Sequence, residues 1–458
     1  MASKYSLDMT NGPFLKKILR FSLPLMFTGL LQMIYNTADV VVVGRFAGGT
    51  ALAAVGATGS LVNLILNIFL GMSMGSGVMT AKYIGARDEA SVKRCVHSAM
   101  LLSILSGIFV AIFGLIFSEQ LLVMMDSPED VLPLSTLYLK IFFLGAPAGM
   151  VFNFGASIVR ATGDTKKPLI ILSASGIINI VLNLILVINF NMSVAGVAIA
   201  TIVSQYISAT VIVFVLLKMQ NACRLKPKEL RFHKEELKRI LFVGIPAGIQ
   251  NSLFSVSNVI IQTTVNSFGS VAMAGIAAGS NIDSLIYTCT NAISQTTMTF
   301  SSQNFGAKKY ENFNKIYFRC IALTIAIGVS MGALGIVFKE FLVGIFSTDP
   351  AVIKIGAERL TLILPFYFFC SLMDVGAGQL RGMGKSVLPM MVSLLGGCGL
   401  RLLWVFVFFP HNPTLIYLYY AYPISWSITF FVHFACYFIV RRQIMKKTGN
   451  RKFGMRNS

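Results

Sequence analysis

Long hydrophobic runs alternate with short polar segments along the whole chain. Twelve of these runs are long enough to cross a membrane as helices, since about 20 apolar residues cover the ~30 Å hydrocarbon core. The pattern predicts an all-α membrane protein with twelve transmembrane helices. We place the spans, numbered 1 to 12 in chain order, at residues 15–43, 51–81, 95–118, 132–158, 168–190, 194–217, 239–265, 271–301, 316–338, 352–378, 386–409 and 414–440.

The composition leaves no room for a sizeable soluble domain. Of the 458 residues, 55% are hydrophobic and 12% are charged, and the mean hydropathy is +0.74. Soluble domains average about 25% charged residues. The first hydrophobic run exceeds the roughly 7–15 residues of a signal-peptide core, and no small-x-small cleavage site follows it. We therefore expect the first run to remain as a transmembrane helix.

The positive charges identify the cytoplasmic side. The net charge is +20, and 32 of the 38 Lys and Arg residues fall in clusters that alternate with loops almost free of them. This placement follows the positive-inside rule, so it indicates membrane orientation and not nucleic-acid binding. We expect both termini in the cytoplasm of a cell whose inner (plasma) membrane holds the protein. The clusters are at residues 4–20, 82–94, 160–167, 218–239, 308–319, 381–385 and 441–456.

The second half of the chain repeats the first at an offset of about 221 residues. "KYIGARDEASVKR" (82–94) matches "QNFGAKKYENFNK" (303–315), and "RATGDTKKPLIIL" (160–172) matches "RGMGKSVLPMMVS" (381–393). Each half has an even number of spans, so the halves share one orientation and are related by a pseudo-two-fold axis along the membrane normal. Two such lobes are expected to face a central cavity, which is typical of a transporter.

The repeat predicts the domain organisation. An N-lobe covers residues 1–217 and holds spans 1 to 6, and a basic cytoplasmic linker covers residues 218–238. A C-lobe covers residues 239–440 and holds spans 7 to 12, and a basic cytoplasmic tail covers residues 441–458.

A polar stripe runs along one face of span 1 and ends in a carboxylate. Thr28, Gln32, Tyr35, Asn36 and Asp39 share this face by helical spacing. A carboxylate in hydrocarbon costs roughly 2.5–3.5 kcal/mol, so the stripe must face protein or water. Two other interpretations stay open. The stripe could hold helices together, or Asp39 could pair with Arg45 near the outer interface.

Further polar residues in the other spans are candidates for a site. We expect a substrate cavity lined by polar residues of spans 4, 6, 7 and 8, although such residues also join helices to one another. Asn179 and Asn183 of span 5 lie one turn apart. The cavity candidates are Asn153, Gln205, Asn251, Ser255, Asn258, Asp283 and Asn291.

Two arginines lie within predicted spans. Arg359 is close enough to the end of span 10 for its side chain to extend to the interface. Arg401 lies deeper in span 11, and we expect an unidentified carboxylate as its partner.

Prolines within spans mark points where a helix can bend. Pro24, Pro147, Pro246 and Pro365 each remove a backbone hydrogen bond. We predict that Pro24 is a hinge that lets span 1 change between straight and bent forms; a static kink is the alternative.

No motif indicates an enzyme. "GMSMG" (71–75) has the Gly-x-Ser-x-Gly spacing of a nucleophile elbow, but it lies in an apolar span and not between a strand and a helix. Close helix packing explains this segment, "GIPAG" (244–248) and "GAPAG" (145–149) better. There is no Walker A loop, and the seven Cys and four His are scattered. We expect no cofactor and no bound metal other than a possible Na⁺ at Asp39.

The chain resembles the multidrug and toxic compound extrusion (MATE) family over nearly its whole length. The resemblance rests on the two six-helix halves and on four segments in the same order. These are "LPLMFTGLLQMIYNTADVVVVGRF" in span 1, "ALAAVG" in span 2, "RATGDTKKP" before span 5 and "LRGMGKSVLPM" before span 11.

The resemblance implies a function and a coupling site. The family exports amphipathic, often cationic, compounds in exchange for H⁺ or Na⁺ by alternating access. It implies cation coupling at Asp39, with Gln32 and Tyr35 at matching positions; we add Asn36, Asn179, Asn183 and Thr201 as neighbours. The family branch has a second carboxylate where this chain has Asn183, so a relay of two carboxylates is in doubt. We expect a monomer with small-molecule substrates.

Two other functions stay open at this point. A lipid-linked saccharide flippase belongs to the same superfamily, and it would need a basic cavity, for which Arg359 and Arg401 are the candidates. A channel or a receptor would not need the two-lobe repeat.

Overall fold

The computed structural model describes residues 6–125 and 127–454. Residues 1–5 of the predicted N-lobe, Asp126 of an outer loop and residues 455–458 of the predicted tail lie outside the described residues.

The described chain is all helical, and its long helices correspond in order to the twelve predicted spans. Ten segments have the length and hydropathy of membrane spans, and a bent helix pair makes an eleventh. The remaining helix, Ser270–Gly306, has 37 residues and is long enough to span a membrane, but it is too polar to meet the hydropathy of the other spans. The helices are α1 (Phe14–Phe46), α2 (Gly49–Gly85), α3 (Glu89–Met124), α4 (Leu132–Leu144 and Ala146–Ala161), α5 (Lys166–Asn189), α6 (Ser193–Leu217), α7 (Lys234–Asn266), α8 (Ser270–Gly306), α9 (Asn312–Val337), α10 (Pro350–Gly382), α11 (Val387–His411) and α12 (Leu415–Tyr419 and Ala421–Gly454).

Local signals explain several helix ends and bends. The Asp88 side chain caps α3 by accepting a hydrogen bond from the Ser91 amide, and this contact with Ser91 lowers the pKa of Asp88. The helix α4 bends by 46° between its two parts, next to Pro147. In α10, Pro365 lies in a 3₁₀ turn. By contrast, Pro24 and Pro246 lie inside uninterrupted α-helices.

The described chain divides into two compact units. One unit comprises residues 6–8 and Leu23–Ser252, and the other comprises Met9–Ser22 and residues 253–454. The first part of α1 thus belongs to the second unit, and the first half of α7 belongs to the first unit. The sequence repeat did not indicate this exchange of helix segments.

Glycines allow two helices of the first unit to pack backbone to backbone. A Cβ atom at Gly71 of α2 would lie 2.3 Å from the Gly248 backbone nitrogen of α7, and one at Gly75 would lie 2.8 Å from that of Gly244. Real Cβ contacts are never that short, so only glycine fits. The predicted role of "GMSMG" and "GIPAG" in close helix packing is therefore confirmed.

Each unit has its own apolar core. In the first unit, one buried cluster joins α1, α2, α4, α5 and α6 and includes Val43, Ala54 and Val197. In the second unit, a larger cluster contains Tyr367, Tyr419, Trp426 and Phe430. The first cluster lies around the part of α1 that carries Asp39, so that residue is held by packed helices.

Candidate functional site

Asp39 of α1 meets polar side chains of α5 and α6 within the first unit. Asn183 Nδ2 donates a hydrogen bond to Asp39 Oδ1, and Thr201 Oγ1 lies 3.5 Å from Asp39 Oδ2. Asn183 Nδ2 also lies 3.3 Å from Asn179 Oδ1, and Asn179 Nδ2 lies 3.4 Å from Thr201 Oγ1. We call these four residues the Asp39 site.

Helical spacing brings the polar side chains of α5 together beside Asp39. Asn179 and Asn183 are one turn apart on α5, so both amides reach the same side of that helix. Both residues are buried, with exposures of 5% and 0%. Thr201 Oγ1 also lies 2.9 Å from the Val197 carbonyl of its own helix. A hydroxyl has one proton, so Thr201 cannot donate fully to both Val197 and Asp39.

Within the described residues, no cationic side chain forms an ion pair with Asp39. Arg45, the alternative partner considered above, is exposed. The carboxylate is thus held by neutral donors in an apolar lobe. Such a group gains a great deal from binding a proton or a metal cation.

One oxygen atom beside Asp39 has no hydrogen-bond partner in the part of the chain that the structure describes. Asn183 Oδ1 is buried and has no hydrogen-bond partner among the described residues. Asn179 Oδ1 and Thr201 Oγ1 are also close to Asn183 and Asp39. Carboxylate, amide and hydroxyl oxygens are the ligands that hard cations prefer, whereas a proton needs only the carboxylate.

The other candidates on α1 are placed differently. Tyr35 Oη donates to the Ser173 carbonyl of α5 at 3.2 Å, and its ring lies against Gly176, where a Cβ atom would clash. Tyr35 therefore sets the distance between α1 and α5. Gln32 and Asn36 are exposed and lie outside the hydrogen-bond network of Asp39.

The residues predicted to line a substrate cavity divide between the units. Asn153, Gln205 and Asn251 belong to the first unit, and Ser255, Asn258, Asp283 and Asn291 to the second. Asn153 Nδ2 donates to the Gly149 carbonyl of its own helix at 2.8 Å. Gln205 Oε1 lies over Gly145 at the α4 bend.

Asp283 of α8 is an ion-pair residue. Its Oδ2 lies 2.6 Å from Arg359 Nη2 of α10, and the two side chains are 9% and 6% exposed. The expectation that Arg359 extends to the interface is wrong, because Gly279 leaves space for its guanidinium between the helices. The charge of Asp283 is neutralised inside the lobe, so we no longer place it in a substrate cavity.

Arg401 of α11 also departs from its prediction. Its Nε donates to Ser425 Oγ at 3.2 Å and its Nη1 to Asn258 Oδ1 at 3.4 Å. Its guanidinium lies 4.7 Å from the ring centroid of Tyr422. The expected carboxylate partner is absent among the described residues, and neutral oxygens and aromatic rings take its place.

A chain of hydrogen bonds in the second unit was missed from the sequence. Gln295 Nε2 donates to Asn291 Oδ1 at 2.9 Å, and Asn291 Nδ2 donates to Tyr287 Oη at 3.3 Å. Tyr287 in turn bonds to the Asp374 side chain of α10. Only the packing of α8 against α10 identifies Asp374 as the partner of Tyr287, because the helical spacing of α8 contains no information about α10.

Comparison with known proteins identifies the family. The family model described as MatE matches the chain twice, over residues 24–185 and 246–407. "Probable multidrug resistance protein YoeA" of Bacillus subtilis is 25% identical over 436 residues, which cover 93% of this chain and 94% of that protein. "Multidrug export protein MepA" of Staphylococcus aureus is 23% identical over 387 residues, which cover 84% of this chain and 86% of that protein.

A solved structure has the same fold. It is described as the outward-facing conformation of a multidrug resistance MATE family transporter of the MOP superfamily. The TM-score is 0.90 at 21% sequence identity, over 96% of this chain and 98% of the other.

The chain therefore belongs to the MatE family, because the two matched segments cover most of its length. It is a multi-span membrane transporter, and the prediction that it is not an enzyme is confirmed by the transport class of its relatives and structural neighbour. The double match also confirms the sequence repeat.

Proposed function

We propose that this transporter exports amphipathic, often cationic, small molecules in exchange for a cation that binds at Asp39. The observation that carries the proposal is a carboxylate in the membrane-spanning part of α1 whose contacts, within the described part of the chain, are neutral groups and include no cationic side chain. The names of the relatives, which describe multidrug resistance and multidrug export, support the substrate class.

The exchange would depend on the charge of Asp39. With the carboxylate ionised, the transporter holds an amphipathic cation from the cytoplasm. A cation from outside then neutralises Asp39, its hydrogen bonds with Asn183 and Thr201 rearrange, and the compound leaves. One charge that moves through 100 mV supplies about 2.3 kcal/mol. The ion is H⁺ or Na⁺. Asn183 Oδ1, which has no hydrogen-bond partner among the described residues, supports Na⁺, because it could serve as an oxygen ligand beside the carboxylate.

We place the protein in the inner (plasma) membrane with both termini in the cytoplasm, as the basic clusters predict. It would act as a monomer, with the lipid bilayer and small molecules as its partners.

The flippase alternative has less support. A pyrophosphate carrier needs several free cationic side chains, but Asp283 neutralises Arg359 and only Arg401 is left among the two candidates. A channel or a receptor has no observation in its favour.

Reconstituted protein tests the proposal. Proteoliposomes that contain the purified chain should show ethidium uptake or release driven by an imposed H⁺ or Na⁺ gradient, and ethidium should drive cation movement in return. Reciprocal driving is required of an exchanger by thermodynamic linkage. Ethidium movement that neither gradient affects would refute exchange, and cation flux that does not depend on ethidium would point to a channel.

A further inference from the structure

The second unit contains a buried positive charge that no described residue of the unit neutralises. Arg401 is 4% exposed, and no carboxylate forms an ion pair with it among the described residues. An unpaired charge in a membrane-spanning segment is costly and is a functional candidate by default. The hydrogen-bond partners of Arg401 are neutral, so a neutral side chain at this position would cost the fold little. The positive charge therefore points to a role beyond folding.

The surroundings of Arg401 are neutral oxygens, two aromatic rings and an indole N–H. The guanidinium lies 4.7 Å from the Tyr422 ring centroid and 5.5 Å from that of Trp426. The indole Nε1 of Trp426, a residue 4% exposed, has no hydrogen-bond partner among the described residues. Arg401 Nη1 contacts Asn258, whose side chain is exposed. The guanidinium therefore ends beside accessible space.

The sequence repeat shows which residue of the first half corresponds to Arg401. Pro168 near the start of α5 corresponds to Pro389 near the start of α11. The π-helical segment Leu394–Gly399 inserts one residue into α11, whereas α5 is regular α-helix up to Leu184. Arg401 therefore corresponds to Asn179, and the family matches that end at residues 185 and 407 agree with this register.

The same register extends to the rest of the site. Pro24 and Pro246 lie in uninterrupted helices, so Asp39 corresponds to Ile261 and Asn36 to Asn258. Asn183 corresponds to Val405. The C-terminal counterpart of the Asp39 site has thus lost its carboxylate and gained a guanidinium. Its charge is reversed, so it cannot bind a second coupling cation.

We propose that Arg401, with Asn258 and Trp426, forms a binding site for the anionic group of an amphipathic ligand. The class is an aromatic carboxylate, phosphate or sulfonate, because a guanidinium can donate two hydrogen bonds to two oxygens of such a group and the rings of Tyr422 and Trp426 suit an apolar body. The proposal extends the export function by adding acidic and zwitterionic compounds to its substrates, and it rests on that function only for the use of the bound ligand.

A matched pair of dyes tests the site by binding alone. Rhodamine B carries a carboxylate, and rhodamine B ethyl ester is the same dye without that charge. Fluorescence anisotropy with the purified full chain in detergent gives both dissociation constants without any gradient. We expect wild type to bind the free acid at least about 10-fold more tightly than the ester, as one charge-assisted contact supplies.

Variants assign the preference to Arg401. Arg401→Gln should remove the preference and leave the affinity for the ester unchanged, and Arg401→Lys should keep part of it. Lys315→Gln removes an exposed charge of the same unit and should change neither constant. Competition by benzoate and by phenyl phosphate then distinguishes carboxylate from phosphate ligands.

The outcomes are separable. Equal affinity of wild type for the two dyes, or a preference that survives in Arg401→Gln, would overturn the proposal. If Arg401→Gln does not fold, Trp426→Phe is tested in its place, because it keeps an aromatic ring but removes the unpaired indole N–H. The preference should then fall several-fold, and an unchanged preference would count against the site. Failure of exchange at Asp39 would leave these binding results unaffected.

Discussion

At the scale of single residues, the proposed coupling rests on the contact between Asp39 and Asn183. The carboxylate is held in α1 by an amide from α5 and a hydroxyl from α6. An amide can donate to a carboxylate but cannot take up a proton as a second carboxylate would. The site therefore has one titrating group, and a single bound cation is enough to neutralise it.

Asn183→Asp would place a second carboxylate in contact with Asp39. Two like charges at this distance favour retention of one shared proton, so the pair stays partly protonated to higher pH than Asp39 alone. If H⁺ is the coupling ion, we expect the pH dependence of efflux to shift to higher pH. Proton-driven ethidium uptake into everted vesicles, measured over pH 6–9, gives this shift; Asn412→Asp, at an exposed position between α11 and α12, is the control.

An unchanged pH profile of Asn183→Asp, with normal expression, would contradict proton coupling through this contact. A profile that instead acquires a dependence on Na⁺ concentration would assign the oxygen ligands of the site to Na⁺.

At the scale of helices, glycines and prolines determine how spans approach and bend. The α2 and α7 backbones touch at Gly71, Gly75, Gly244 and Gly248. Thr28 Oγ1 donates to the Pro24 carbonyl at 2.7 Å and so adds a bond near the point where α1 lacks one. Pro24 lies in an unbroken helix, and its role as a hinge stays a prediction.

Gly71→Ala should destabilise the protein by about 1–3 kcal/mol, because a Cβ atom there would overlap the α7 backbone. Thermal unfolding in detergent, followed by intrinsic fluorescence, should show a midpoint lower by a few degrees. Gly59→Ala is the matched control, since nothing lies within 4 Å of a Cβ atom at Gly59 of the same helix. Equal midpoints for the two variants would contradict the packing described.

Pro24→Ala restores a backbone donor in the middle of α1. We expect the variant to be at least as stable as wild type, because proline costs an interior helix about 3 kcal/mol. If bending of α1 is part of the cycle, ethidium efflux should fall several-fold at unchanged expression. Pro246→Ala in α7 is the comparison; efflux that is normal in Pro24→Ala would leave a static kink as the explanation.

Sequence reasoning reached the helices more fully than it reached the site. The order and type of the helices follow from hydrophobic runs, and helical periodicity placed Asp39 on a polar face. The partner of each buried charge depends on how separate helices pack, which periodicity does not contain. For that reason Asp283 was expected in a cavity, although it pairs with Arg359. Arg401 was expected beside a carboxylate, although its neighbours are neutral.

At the scale of the whole molecule, the chain is a duplicated six-helix unit whose copies have diverged in charge. Asp39 in the first copy corresponds to Ile261 in the second, and Asn179 corresponds to Arg401. The duplication makes a common fold, and under the two proposals above the divergence in charge would give the two units different ligands. The proposed orientation of the molecule in the membrane rests on its basic loops.

Single cysteines test this orientation. Ser347→Cys in a predicted outer loop should react with a membrane-impermeant maleimide in intact cells, whereas Lys228→Cys in the basic linker should react only after permeabilisation. The background is low, because six of the seven native cysteines are buried. Labelling of Lys228→Cys in intact cells would contradict the proposed topology.

Ethidium efflux by Asp39→Asn tests the central claim most directly. Energised cells that express wild type, Asp39→Asn or Asp374→Asn are compared, with the H⁺ and Na⁺ gradients collapsed in turn. The account predicts that Asp39→Asn abolishes efflux at normal expression, that Asp374→Asn retains it, and that one gradient alone is needed by wild type. Efflux by Asp39→Asn equal to that of wild type would contradict coupling at Asp39 and direct attention to Asp374 and Tyr287.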